Sequence, residues 1–312
     1  MIRNTQPQIV MPRPLEPGDK IRFVSPASPP NREDVEASVE LVESWGFKAD
    51  VGRHAYNKLN YLAGTDDERL SDFNEALNDP QVRAIFATRG GKGSYRIADR
   101  LDFDRARRDP KFLVGFSDVT ILQMALWKQG GGGGIHGALN AADWDAPEAP
   151  GGISLKDLLS GHSEVGLAAD PANETMSLTT SGVADGPLVG GNLDMIATAA
   201  GWALPNLNGC IVLIEAVNMY LGQIDRQLSM LIKGGFLDGV AGIALGQFTG
   251  IKPSGSLTIV DLLHEYLTPL DVPILGGLPL GHDVGAQRIA MGYPTRIDAE
   301  HGILTVNRLR QI

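Results

Sequence analysis

Residues 111–118 read KFLVGFSD and are followed at 119–128 by VTILQMALWK. The apolar run Phe112, Leu113 and Val114 stops abruptly at Gly115-Phe116-Ser117-Asp118, after which Val119, Leu122, Gln123, Leu126 and Trp127 recur at helical spacing. A short apolar run bounded by a turn reads as a buried parallel strand, and the spacing after it predicts a helix. Strand, tight turn and helix are what a nucleophile elbow requires: the turn lifts a hydroxyl above the sheet edge, where a helix N-terminus stabilises negative charge. Ser117 sits at that corner. The match to G-x-S-x-G is partial, because Val119 stands where the second glycine would be. The same residues also suit plain helix capping, with Ser117 or Asp118 as the N-cap.

Upstream of this corner the chain repeats the alternation. KIRFV at 20–24 reads as a strand that SPASPP at 25–30 breaks, and Val35, Val39, Leu41 and Val42 predict a helix over 32–45 stopped by Gly46. A second strand is expected at 47–51, a helix at 66–78 and a third strand, VRAIFAT, at 82–88. Strands alternating with helices argue for an α/β fold, its mostly parallel sheet flanked by helices and binding ligands beyond the carboxyl ends of the strands. The third strand runs into RGGKGS at 89–94. Its spacing fits neither Walker A nor the G-x-G-x-x-G fingerprint. Glycines leave backbone N–H groups unshielded, so the loop is either an oxyanion donor close to Ser117 or a plain tight turn.

Downstream, five glycines at 130–134 predict a mobile segment. His136 follows without a ligand-spaced partner, which favours a structural hydrogen-bonding role over metal binding. The pattern weakens over 141–186, where Asp143-Trp144-Asp145 stands out as a candidate aromatic contact. Short apolar strands at 210–214 and 242–245 and one helix at 224–233 give the second half a smaller, more β-rich character. A length of 312 residues fits two domains at roughly 150 residues each. The expected division is a flexible lead at 1–12, an α/β nucleophile domain at 13–150, a crossover at 151–185 and a β-rich domain at 186–312.

Composition excludes several classes. With 43% hydrophobic and 21% charged residues the chain has ample material for a core. The formal charge of −10 comes without a basic stripe interleaved with aromatics, so nucleic acid is not an expected partner. Cys210 is the single cysteine, which rules out an intramolecular disulfide and a Cys-rich zinc site. The six histidines form no HExxH pair, and no metal or cofactor is expected. The first residues lack the apolar region of a secretory signal, and no run of about 18 apolar residues is present to span a bilayer. The cytoplasm is the expected compartment.

Three features of the second half carry chemistry-bearing residues: Gly190-Gly191-Asn192-Leu193, Glu215 after the CIVLI strand, and Gly281-His282-Asp283. Taken singly, Glu215 reads as a solvated strand end, His282 as a loop residue and Asn192 as a helix cap. With Ser117 they complete the order Ser, acid, His, and triads are recognised by roles and geometry whatever the spacing.

At this point the chain resembles the LD-carboxypeptidase family of serine peptidases, which includes muramoyltetrapeptide carboxypeptidases and self-immunity peptidases acting on microcin C. The resemblance runs through PGDK at 17–20, SPAS at 25–28, YLAGTDDER at 61–69, RGGKGS at 89–94 and VGFSDVT at 114–120. It continues through GGNLDMI at 190–196, IVLIEA at 211–216, IDRQLSML at 224–231, AGIALGQF at 241–248 and LPLGHD at 278–283. It implies a triad of Ser117 as nucleophile, His282 as general base and acid and Glu215 as the group that orients the imidazole. The implied oxyanion donors are the backbone N–H groups of Asp118 and Gly91.

The resemblance further implies an amino-terminal sheet domain like that of class I glutamine amidotransferases, a barrel-like carboxy-terminal β domain, an interdomain active site and a homodimer. The implied activity is removal of the terminal D-alanine from a murein tetrapeptide through an acyl-enzyme, in peptidoglycan recycling. Hydrolysis of peptidyl or aminoacyl nucleotides is the alternative, and a binding protein without turnover is the alternative of another class. Two residues depart from the family pattern: Lys92 stands where the loop usually carries tyrosine, and Met219 where a second glutamate usually follows the acid. Arg89, Lys92 and Asn192 are the candidate contacts to a small peptide substrate.

Overall fold

The computed structural model describes residues 8–137, 154–161 and 164–307. Asp143-Trp144-Asp145 lies outside the described residues. The first half is built from β1 (Lys20–Val24), α1 (Arg32–Ser44), β2 (Lys48–Val51), α2 (Asp66–Asn78), β3 (Val82–Ala87), α3 (Phe103–Arg108), β4 (Phe112–Val114), α4 (Thr120–Lys128) and β5 (Gly134–His136). The second half supplies β6 (Glu164–Ala168), β7 (Val183–Asn192), β8 (Ile211–Val217), β9 (Gly242–Thr249), β10 (Ile274–Leu275), β11 (Ile289–Met291), β12 (Pro294–Asp298) and β13 (Ile303–Asn307).

Local chemistry sets the element ends. Asn31 caps α1 by accepting the Glu33 N–H, and Gly46 stops that helix in the left-handed conformation, φ +92°. Thr65 and Glu68 form a capping box at the start of α2. Buried apolar faces of α1 and α2 then cover a sheet whose inner residues are fully enclosed, with Phe23 and Phe86 edge-to-face at 5.3 Å. Each such side chain removed from water contributes roughly 1.5–3 kcal/mol.

The first sheet has the order β11-β5-β4-β3-β1-β2. Five of its strands run parallel, as the βα alternation predicts, and β11 pairs antiparallel with β5. The second sheet, expected to be barrel-like, has seven strands in the order β10-β9-β8-β7-β12-β13-β6. Its β7 to β10 run parallel, and β12, β13 and β6 are antiparallel. The helices Leu193–Ala199, Leu221–Lys233 and Ile259–Leu267 accompany it, the last of them unforeseen. Residues 151–185, expected as a crossover, already contribute β6 to this sheet.

The glycine run at 130–134 is held in place, contrary to the mobility predicted for it. Val10 donates to Gly130 O at 3.0 Å and accepts from Gly132 N at 2.9 Å, so a segment assigned to the flexible lead is bridged to it. A Cβ on Gly132 would lie 2.2 Å from Met11 Sδ, and one on Gly133 2.2 Å from Pro12 Cδ. These glycines serve close packing of the lead against β5.

Candidate active site

The corner after β4 takes the elbow form. Ser117 has φ +59°, a left-handed conformation costly for a residue with a side chain and one that clusters at functional sites. Val119 N donates to Phe116 O at 3.1 Å to close the turn, and α4 follows at once. Beneath it the buried Gln123 amide donates to Leu113 O, Gly115 O and Ile135 O at 3.2, 3.0 and 3.2 Å. It thus ties the end of β4 to β5. Helical spacing alone marks Gln123 as a core-facing position and gives no hint of this brace.

The capping alternative for Ser117 and Asp118 is not what the structure adopts. Neither the short 3-10 turn Ser117–Val119 nor α4 has a side-chain capping bond. The Asp118 carboxylate instead turns away from the helix and accepts the Ser94 N–H at 2.7 Å. It is buried, and burial raises its pKa against the opposing effect of that hydrogen bond.

The loop after β3 passes directly over this corner. A Cβ on Gly90 would lie 3.1 Å from Ser117 Cβ and 3.4 Å from Ser117 Oγ. Among the described residues, the N–H groups of Gly91 and Asp118 donate to no protein acceptor. Arg89, largely exposed, donates to Pro29 O at 3.4 Å, and Lys92 Nζ lies 3.8 Å from Asp194 Oδ2 across the cleft.

Glu215 lies inside β8, beyond the expected strand end at residue 214, and it is fully buried rather than solvated. A bulge between Ile214 and Ala216 re-aims the strand at this point. Glu215 Oε2 meets His282 Nδ1 at 2.8 Å. A buried carboxylate on one ring nitrogen fixes which nitrogen of the imidazole carries the proton and leaves the other to act as base. The loop bearing His282 is fastened to β9: Leu278 N donates to Leu245 O at 3.1 Å, Gln247 N to Leu280 O at 2.8 Å and Asp283 N to Gln247 Oε1 at 3.1 Å. Gly246 permits this approach, since a Cβ there would stand 2.1 Å from Leu280 O.

Phe116 joins the two halves of the site. Its ring centroid is 4.7 Å from that of His282 and 5.9 Å from that of His136. Ser117 is the next residue in the chain, and among the described residues no hydrogen bond joins its hydroxyl to the imidazole. Catalytic hydrogen bonds in unliganded sites are often long. Asn192 pairs with Glu215 in the β7–β8 register, and its N–H donates to Thr120 Oγ1 at 3.2 Å. It occupies the N-cap position of Leu193–Ala199, yet its side chain makes no capping bond. The shown contacts thus link Glu215 to His282, His282 to the ring of Phe116, Gly90 to Ser117 and Asn192 to Glu215.

His136 departs from expectation. It is completely buried, and among the described residues neither ring nitrogen has a hydrogen-bond partner, so the predicted structural hydrogen bond is not seen there. Gly191 makes room for it, since a Cβ there would lie 3.0 Å from His136 Nδ1. Burial pushes its pKa down to about 4; the Glu215 charge opposes that shift and His282 adds to it. Among the described residues no group of three or more His, Cys, Asp or Glu side chains could hold a metal ion. No described helix is long and apolar enough to cross a membrane.

Comparison with known proteins covers both halves. Residues 21–137 match the model of the LD-carboxypeptidase N-terminal domain and residues 185–297 that of the C-terminal domain. The probable murein peptide carboxypeptidase of Bacillus subtilis is 32% identical over 87% of this chain and 86% of its own. The murein tetrapeptide carboxypeptidase of Pseudomonas aeruginosa is 30% identical over 93% of this chain and 94% of its own. The solved structure of MccF in complex with glutamyl sulfamoyl guanosine superposes with a TM-score of 0.81 at 23% identity, covering 96% of this chain and 99% of that one.

Proposed function

The chain belongs to the LD-carboxypeptidase family, and on that premise we propose that it hydrolyses the terminal D-alanine of murein tetrapeptides through an acyl-enzyme on Ser117. The observation that supports the mechanism is the pairing of buried Glu215 with the partly exposed His282 at 2.8 Å, the imidazole packing on Phe116, which precedes a serine held at φ +59°. Free serine is a poor nucleophile at neutral pH, so the far nitrogen of His282 takes the Oγ proton as Oγ attacks the carbonyl at the L-centre. The carbonyl oxygen becomes an oxyanion, and the N–H groups of Gly91 and Asp118 are assigned to stabilise it. Collapse of the intermediate breaks the C–N bond, and His282 returns its proton to the amine of D-alanine. Water, deprotonated by the same imidazole, then cleaves the ester and restores Ser117.

Arg89, Lys92 and Asn192 are assigned to the substrate. Lys92 and Arg89 supply positive charge at the rim, suited to the carboxylate of a short peptide. A cytoplasmic location, a role in recycling wall peptides and a homodimer complete the reading, supported by the family resemblance.

The test is release of D-alanine from purified murein tetrapeptide, with Ser117→Ala alongside. Loss of the nucleophile from a working triad costs about 10⁶ in kcat, so the variant is expected to be inactive. An active alanine variant refutes the mechanism. MccF, crystallised with an aminoacyl sulfamoyl nucleoside, motivates a parallel assay on such a compound. Preference for the nucleoside would overturn the peptide assignment and leave the triad standing.

A further inference from the structure

The loop over Ser117 is fastened at four points, none of them a residue of the triad. Ser28 N donates to Gly90 O at 3.3 Å, and Ser28 Oγ accepts from Lys92 N at 3.1 Å. The Arg69 guanidinium donates to Gly93 O at 2.9 Å and also to Pro26 O. The Asp118 carboxylate accepts from Ser94 N at 2.7 Å. Gly91 and Gly93 adopt φ +107° and +125°, and a Cβ on Gly91 would lie 2.4 Å from Ser28 Oγ. The loop is therefore moulded onto Ser28, Arg69 and Asp118 and has no room to relax toward them.

Two of these holdfasts are ionisable groups withdrawn from water, where a polar group is costly unless hydrogen-bonded, and among the described residues Arg69 Nε and Asp118 Oδ1 remain without a partner. The Arg69 side chain is entirely buried, paired with Asp66, which Arg96 engages in turn at 2.8 Å. Asp118 is buried immediately after the nucleophile. Its backbone N–H follows Ser117 directly and, among the described residues, donates to no protein acceptor, while its carboxylate holds Ser94, three residues after Gly91.

We propose that Arg69, Asp118 and Ser28 are positioning residues that set the distance between the two backbone donors of the oxyanion hole. The inference rests on the hydrolase reading for the existence of that hole. Donors aimed at a developing charge must be within a few tenths of an ångström of their places before the reaction, because the energy needed to move them would otherwise raise the barrier. A side-chain carboxylate locked to Ser94 N does this more stiffly than a glycine-rich backbone can.

The experiment compares wild type, Ser28→Ala, Arg69→Lys, Asp118→Asn and Asp118→Ala in two assays: D-alanine release from the tetrapeptide, and the rate at which a small fluorophosphonate modifies Ser117. Asp118→Ala removes the acceptor and is expected to lower kcat on the order of 10²-fold, the loss typical of one misplaced oxyanion donor, with KM within about threefold. Asp118→Asn keeps an acceptor oxygen and is expected to restore most of that rate; Arg69→Lys and Ser28→Ala should fall between. Affinity for a tetrahedral phosphonate analogue should drop in parallel with kcat/KM, while affinity for the tripeptide product stays constant.

Folded Ser28→Ala and Arg69→Lys proteins serve even where Asp118→Ala does not fold. Ser28→Ala, Arg69→Lys or Asp118→Ala proteins that hydrolyse and phosphonylate like wild type, or that lose product affinity as much as kcat, overturn the proposal. Wild type that is phosphonylated at Ser117 without cleaving the tetrapeptide overturns the substrate assignment instead, and the phosphonylation rates of the variants still decide the positioning role.

Discussion

Acid should unfold this protein partly through one histidine that takes no part in proton transfer. His136 is enclosed with no hydrogen-bond partner among the described residues, and burial holds its pKa at about 4 against the ordinary 6.5 of an imidazole. As pH falls below 6.5 the unfolded chain binds a proton that the folded protein refuses, so stability is complete above that value and drains away down to about pH 4. Each unit of the gap is 1.36 kcal/mol, which gives a loss of about 2 kcal/mol at pH 5 and about 3 kcal/mol at pH 4. His136→Leu removes the titration. Because the ring forms no hydrogen bond, an apolar replacement of similar size should cost less than about 1.5 kcal/mol at pH 7.5. Urea unfolding of both proteins at pH 7.5, 5 and 4 isolates the effect, since the remaining titrating groups are common to both. The variant should gain on the wild type as pH falls and overtake it below about pH 5. A difference between the two that stays flat from pH 7.5 to pH 4 would show that the imidazole is not held neutral, and the reasoning would fail.

Two further outcomes follow from distances at the site. Glu215→Gln retains shape but leaves the imidazole without its anionic partner, and kcat is expected to fall on the order of 10³–10⁴-fold with KM little changed; steady-state kinetics within tenfold of wild type would remove Glu215 from the mechanism. Gly90→Ala adds a methyl group 3.1 Å from Ser117 Cβ, at a residue whose backbone is not left-handed. It should fold normally yet turn over about tenfold more slowly, as small misplacements of reacting groups do, and wild-type turnover would mean that the loop does not cover the nucleophile.

Much of the first half is legible in its sequence because strands there are unbroken apolar runs. KIRFV, FLV and the helix at 66–78 appear with the expected bounds. In the second half the same logic misplaces a boundary: an acid after CIVLI looks like the end of burial, whereas β8 continues to Val217 with Glu215 enclosed. No local pattern announces that a carboxylate is paired by a histidine 67 positions away. Nor does the spacing reveal Arg69, which three residues from Asp66 looks like an ordinary exposed helix pair and is in fact buried beneath a loop. His136 misleads for the complementary reason. A polar side chain in a core is expected to find a partner, and here it is tolerated as a neutral ring beside Phe116.

The strand β11 carries a consequence for how this protein can be divided. It begins seven residues beyond His282, and it hydrogen-bonds to β5 in the sheet whose β4 leads to Ser117. The loop bearing His282 is therefore stitched at one end to each sheet, by Leu278 to β9 and by Ile289 to β5. A cut between residues 137 and 185 would separate the two matched sequence segments but not two finished folding units. The amino-terminal piece would keep a raw margin at β5, and the carboxy-terminal piece would carry a strand with nowhere to pair. The loop of His282 and the sheet that leads to Ser117 are thus registered to each other by the topology of the backbone, in the manner of a rivet driven through two plates.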